Sequence, residues 1–237
     1  YDKPLIDNIE RTEEAKRIRE ILKGFYTVLK GMDEYLRFVF LTGVSKFSKV
    51  GVFSGLNNLE DITMDDKYAA MLGITQDELE TFFADYIADF ARSEGWSEEK
   101  LLDEIKFWYD GFCFSRRCQA VYNPLSLLLL FKQRRFSNYW FETGTPSFLI
   151  KLIREKNYDI QTLEDLQTDE LAFSSFEVDD LRVIPLLFQA GYLTIKGYDP
   201  RRRLYRLRYP NSEVEDAFLK HLMGEFSSVE EERADSY

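Results

Sequence analysis

Leu36-Arg37-Phe38-Val39-Phe40-Leu41, followed by Thr42-Gly43-Val44-Ser45-Lys46, is the stretch on which the reading of the fold turns. Its residues Phe38 to Leu41 are uninterrupted apolar. A strand with one wet face alternates, whereas a continuous apolar run reads as a strand covered on both faces, inside a sheet with helices on each side. Upstream, Ala15, Ile18, Leu22, Phe25 and Leu29 recur at the helical period between residues 12 and 30. Glu13 and Glu14 lie in the first turn, where the helix dipole favours acids, and Gly31 follows as a stop. A helix feeding a covered strand predicts α/β architecture here, with Thr42 to Lys46 as a small polar loop beyond the strand.

Past residue 57 the pattern becomes helical. Thr75-Gln76-Asp77-Glu78 is a capping-box sequence, and Leu79, Phe82, Phe83, Tyr86, Ile87 and Phe90 follow at helical spacing up to Gly95. Ser97 caps a further predicted helix with Leu101, Leu102, Ile105 and Trp108 on one side. Asn123-Pro124 and Thr145-Pro146 each place a helix start, a capping residue followed by proline at the first helical position. In the last third, Leu186 to Ala190 predicts a helix stopped by Gly191, Tyr192 to Lys196 a strand, and Arg203 to Tyr209 a second strand. Tyr205, Leu207 and Tyr209 fall on one face of that second strand, with Leu204, Arg206 and Arg208 on the other. Ser212-Glu213-Val214-Glu215 reads as another capping box, opening a helix to about Met223, with a fraying acidic tail from Ser227. Helix, hairpin and helix together resemble a winged-helix module.

Composition narrows the function classes. With 237 residues, 45% hydrophobic and 16% aromatic, the chain can build a real core and is not a disordered segment. A formal net charge of -11 disfavours broad contact with nucleic acid but leaves room for a local basic patch. Cys113 and Cys118 are too few for a disulfide framework, so a reducing cytoplasm is the simple expectation. A structural zinc site takes four ligands, and the single histidine, His221, is remote in sequence. No segment approaches the roughly 18 apolar residues of a membrane span. The opening at Tyr1, without methionine, leads us to expect an interior piece of a longer protein.

Several motifs together are similar to one family. They are Tyr1-Asp2-Lys3-Pro4-Leu5, Glu34 to Ser48, Ser54-Gly55-Leu56-Asn57-Asn58-Leu59, Trp108-Tyr109-Asp110-Gly111-Phe112, Val121-Tyr122-Asn123-Pro124, Asn138 to Pro146, and Leu187 to Ile195. In this order they resemble the predicted AAA-ATPase-like family of P-loop ATPases, many of which continue into a PD-(D/E)XK nuclease-like domain. The resemblance implies a mainly α fold with a small α/β remnant. Residues 1–60 would be the C-terminal remnant of the AAA-like core, 61–160 a helical lid-like subdomain, 161–226 a winged-helix-like module and 227–237 an acidic tail. It implies ATP and magnesium in the intact parent. Yet no G-x-x-x-x-G-K-[ST] phosphate loop occurs in the sequence, and the Asp-Glu strand end of the family precedes the position of Tyr1. ATP chemistry is therefore not expected of this chain alone. Expected partners are the upstream P-loop region, a nuclease-like C-terminal domain, and a second copy through the exposed edge of the 38–41 strand.

Candidate site residues follow from the same resemblance. Thr42 and Ser45 end the strand at which related ATPases sense the γ-phosphate; alternatively they cap a strand terminus. Lys46 is either a nucleotide contact or a solvated loop lysine. Asp2 lies near the magnesium shell or fixes a loop entry. Asp110 and Glu142 are single carboxylates without a partner at defined spacing, so they read as structural. Arg201, Arg202, Arg203, Arg206 and Arg208 crowd the predicted hairpin. Of these, Arg203, Arg206 and Arg208 are the residues that would meet nucleic-acid phosphates, or else the hairpin is a solvated one balancing an acidic surface.

Overall fold

A computed structural model describes residues 3–8, 11–32, 34–43, 59–140, 147–156, 158, 163, 165–173 and 182–234. The described chain is mainly helical with one small sheet. In order it contains α1 (Lys3–Ile6), α2 (Thr12–Lys30), α3 (Gln76–Phe82), α4 (Ala84–Glu94), α5 (Glu98–Tyr109), α6 (Pro124–Gln133) and α7 (Ser147–Glu155). These are followed by β1 (Leu166–Thr168), α8 (Val183–Gln189), β2 (Thr194–Asp199), β3 (Leu204–Arg208) and α9 (Ser212–Ala234).

Local chemistry accounts for the helix starts. Thr75 and Glu78 form a reciprocal capping box: the Glu78 amide donates to the Thr75 hydroxyl, and the Thr75 amide donates to the Glu78 carboxylate. Each such cap supplies partners for orphan amides and contributes about 1 kcal/mol. Ser97 accepts from the Lys100 amide, and Asn123 accepts from the amides of Leu125 and Ser126 ahead of Pro124. The amphipathic stretch after Thr75 is two helices rather than one, because Phe83 leaves helical geometry (φ -112, ψ 12) between α3 and α4. Leu79, Ile87 and Phe90 are buried, while Phe82 and Tyr86 stay exposed.

α9 does not begin as the capping box Ser212 to Glu215 suggests. Asn211 is the cap, its side-chain oxygen accepting from the Val214 amide at 3.1 Å, and Ser212 is already helical. Glu213 is thereby freed for a buried role described below. α9 runs to Ala234, so the segment expected to fray from Ser227 is helical over most of its length.

The sheet is antiparallel with order β1-β3-β2. β3 is central: Leu166 pairs with Leu207 and Thr168 with Tyr205 on one side, Ile195 with Leu207 and Tyr198 with Tyr205 on the other. A register shift between Ile195 and Gly197 bulges the strand at Lys196. The alternation expected for β3 holds. Tyr205, Leu207 and Tyr209 are buried while Arg206 and Arg208 face outward.

Two apolar clusters form the core. One joins α3, α4, α5 and α6 through Leu79, Ile87, Phe90, Leu101, Ile105, Leu127 and Leu130. The other gathers the sheet, α7, α8 and the start of α9, and also takes in Leu5 from α1 and Ala15 and Tyr26 from α2. Full burial of each large apolar side chain contributes about 1.5–3 kcal/mol. α5 and α7 both pack on α9, which links the two clusters.

The N-terminal expectation needs correction. Phe38 to Leu41 belong to no strand, and Phe38 is 80% exposed. A continuous apolar run needs neighbouring strands to supply ladder partners, and among the described residues none lies beside it. On α2, Phe25 is exposed and Tyr26 takes the core position instead; Ile21, Phe25 and Val28 make an outward apolar stripe. The helix start expected at Thr145-Pro146 lies outside the described residues, although α7 itself ends at Glu155, close to the expected Lys156.

Candidate anion-binding groove

The hairpin between β2 and β3 is shaped by Asp199, whose carboxylate accepts from the amides of Arg201 at 2.8 Å and Arg202 at 3.2 Å. This Asx-type turn leaves Arg203 at φ 57, a left-handed conformation uncommon outside glycine. β3 then alternates, so Arg206 and Arg208 stand two residues apart on its outer face. The bulge in β2 turns Lys196 toward them. Gly197 presents no side chain where the Arg206 guanidinium crosses it; an added Cβ would lie 3.7 Å from Arg206 Nη2.

Asp165, Lys196, Arg206 and Arg208 line an open groove of about 500 Å³. Arg206 Nε lies 3.8 Å from Asp165 Oδ1, a loose and exposed pair worth little in water. Lys196 is held firmly: its ammonium donates to the carbonyls of Pro210 at 2.9 Å and Gly111 at 3.2 Å. Burial lowers the Lys196 pKa, opposed by the neighbouring Cys118, Asp110 and Cys113. Below the lysine, burial raises the Asp110 carboxyl, whose Oδ1 has no hydrogen-bond partner among the described residues. Three cations over one carboxylate make a site suited to oxyanions, with the planar guanidinium forks matching phosphate geometry. The lining residues include no nucleophile–base pair, and among the described residues no three His, Cys, Asp or Glu side chains gather for a metal.

Behind the groove, α9 is pinned by its buried acid. Glu213 accepts from the Ser126 hydroxyl at 2.8 Å and from the Trp140 amide at 2.8 Å. Burial lifts its pKa to about 7, against the lowering effect of those donors. Asn138 donates to Asp216 at 2.9 Å one turn further along.

The candidates from sequence are scattered differently. Arg206 and Arg208 converge on the groove, Arg203 sits at the hairpin tip, and Thr42 is exposed in the segment after Phe40. Asp2, Ser45, Lys46 and Glu142 lie outside the described residues. Lys196 and Asp165 are the groove residues that sequence reasoning missed. The only signal for Lys196 was a charged residue closing an apolar strand, and Asp165 carried none.

Residues 1–53 match the model of a family described as Predicted AAA-ATPase, which supports the AAA-ATPase-like assignment. Over 238 residues the chain is 45% identical to the "Uncharacterized protein in vnfD 5'region" of Azotobacter chroococcum mcd 1, an alignment covering 97% of this chain and 43% of that relative. The chain thus spans less than half the length of that relative. No solved structure matches it. Among the described residues, no helix is long and apolar enough to cross a membrane.

Proposed function

We propose that this chain is the C-terminal portion of an AAA-like ATPase, contributing a sensor segment and a winged-helix-like module to an ATP- and magnesium-dependent parent. The observation that carries this reading is the family match over residues 1–53, which contains the whole stretch from Phe38 to Lys46. Thr42, or Ser45 beside it, would hydrogen-bond the γ-phosphate or the attacking water, while Asp2 and Lys46 would lie nearer the metal and nucleotide. Phosphoryl transfer rests on charge placed around the phosphates, and the sequence has no phosphate loop to place it. The isolated chain should therefore leave ATP intact while the full-length gene product turns it over. Magnesium-dependent turnover by the isolated chain, abolished by replacing one of its own carboxylates, would overturn the reading.

A second reading is favoured by the sheet. The order β1-β3-β2, with α8 before β2 and a hairpin before α9, supports reading this part as a winged-helix-like module, with the basic groove on the outer face of its sheet. In this reading the module is a non-catalytic contact surface for nucleic-acid phosphates through Arg203, Arg206 and Arg208. It is compatible with the first, since an ATPase can carry such a module.

A further inference from the structure

Cys113 and Cys118 bracket a tight turn packed on β2. Cys113 is fully buried. Its amide donates to the Thr194 hydroxyl at 2.6 Å, and its carbonyl accepts from the Ile195 amide at 3.3 Å. Cys118 is partly exposed, and its thiol lies 3.2 Å from the Ile195 carbonyl. Both cysteines are therefore tied to one residue of β2. The Cys118 amide donates to the Ser115 carbonyl at 3.1 Å to close the turn, and Cys118 is held at φ 51, left-handed and sparsely populated for a residue with a Cβ. The Cys113 thiol lies 3.4 Å from the Ser115 carbonyl, the same carbonyl that accepts from the Cys118 amide, so the turn and β2 together hold two free thiols side by side.

We propose that Cys113 and Cys118 are a reversible dithiol that closes to an intrachain disulfide by exchange with a small disulfide of the glutathione type. The two sulfurs have different roles. Cys118 is the more exposed sulfur, and the neighbouring Cys113 thiol and the Lys196 ammonium both lower its pKa against the opposing effect of burial, so Cys118 is the one that ionises to attack. The neighbouring Cys118 sulfur and burial raise the pKa of Cys113, which makes it the second, resolving thiol. The Cys118 thiolate attacks one sulfur of the oxidised glutathione, forming a mixed disulfide and expelling one glutathione thiolate. Cys113 then loses its proton and attacks the Cys118 sulfur, expelling the second glutathione. Two protein thiols are oxidised and one glutathione disulfide is reduced to two thiols, so no further oxidant enters.

The test uses the folded full chain at neutral pH, treated with oxidised glutathione, alkylated and mapped by mass spectrometry. The expected result is loss of both alkylatable thiols, recovery of a peptide cross-linked between residues 113 and 118, and return of both thiols with dithiothreitol. Cys113→Ser should retain one glutathione on Cys118, because the resolving thiol is gone; Cys118→Ser should take up none while folded. Parent thiols that stay alkylatable, or that cross-link only between chains, would overturn the proposal. So would glutathione held on Cys113 of folded Cys118→Ser. If either variant fails to fold by circular dichroism, the parent's cross-link decides alone.

Discussion

The Ser126 hydroxyl donates to the Glu213 carboxylate at 2.8 Å, joining the first turn of α6 to the first turn of α9 across 87 residues of sequence. Both side chains are fully buried, and the Trp140 amide completes the node. Glu213 is therefore the pin on which the helical cluster and the sheet module meet.

Stability should depend on the protonation of that pin. The folded pKa of Glu213, about 7, lies above its ordinary 4.5. The protonated acid favours folding fully below about pH 4.5, and that contribution disappears as pH rises through 7. The effect amounts to something on the order of 3 kcal/mol. Glu213→Gln keeps an acceptor and removes the titration, so its urea midpoint relative to the parent should rise between pH 5 and pH 8. Parallel midpoints over that range would show that Glu213 does not titrate where stated.

Gly111 is a second point of strict constraint. Its φ is 107, and an added Cβ would meet the Pro210 carbonyl oxygen at 2.3 Å and Lys196 Nζ at 2.8 Å. Gly111→Ala should destabilise the chain by about 2 kcal/mol or more, combining backbone strain with displacement of the Lys196 anchor. Denaturant unfolding measures it. Gly95 is a suitable control, since its positive φ is 67 but open space surrounds the Cβ position, and Gly95→Ala should cost less.

Much of this was legible in the sequence, for local reasons. The caps at Thr75, Ser97 and Asn123 depend on side chains reaching their own backbone, which spacing reveals. The alternation of Tyr205, Leu207 and Tyr209 gave the buried face of β3 because a strand's period is fixed. What failed depended on distant partners. Phe38 to Leu41 has strand composition but no neighbours to pair with among the described residues. Ser212 to Glu215 fits a capping pattern, yet Asn211 competes for the same amide and Glu213 is drawn inward by Ser126 and Trp140. β1 is only three residues long, too short for any periodicity, and Asp165 meets Arg206 solely because β1 pairs with β3.

Anion binding at the groove should be weak and steeply dependent on salt, because released counterions would dominate it. Arg206→Glu combined with Arg208→Glu places two carboxylates on the outer face of β3. Binding of a fluorescent single-stranded oligonucleotide, titrated at low and moderate salt, should be abolished. Unchanged affinity in the double variant would remove the groove as a contact surface, and a salt-independent affinity would point to something other than phosphate contacts.

The central claim is that the segment through Thr42 serves nucleotide hydrolysis in the full-length protein, and one measurement tests it most directly. Thr42→Val keeps the side-chain shape and removes the hydroxyl, with Ser45→Ala as its companion. A hydrogen bond to a charged phosphate contributes about 1.5–3 kcal/mol. If that bond tightens only in the transition state, magnesium-dependent ATP turnover should fall roughly 10- to 150-fold with nearly unchanged nucleotide affinity. Turnover at the parent rate in both variants of the full-length protein would contradict the account, leaving Thr42 as a polar residue after an apolar run.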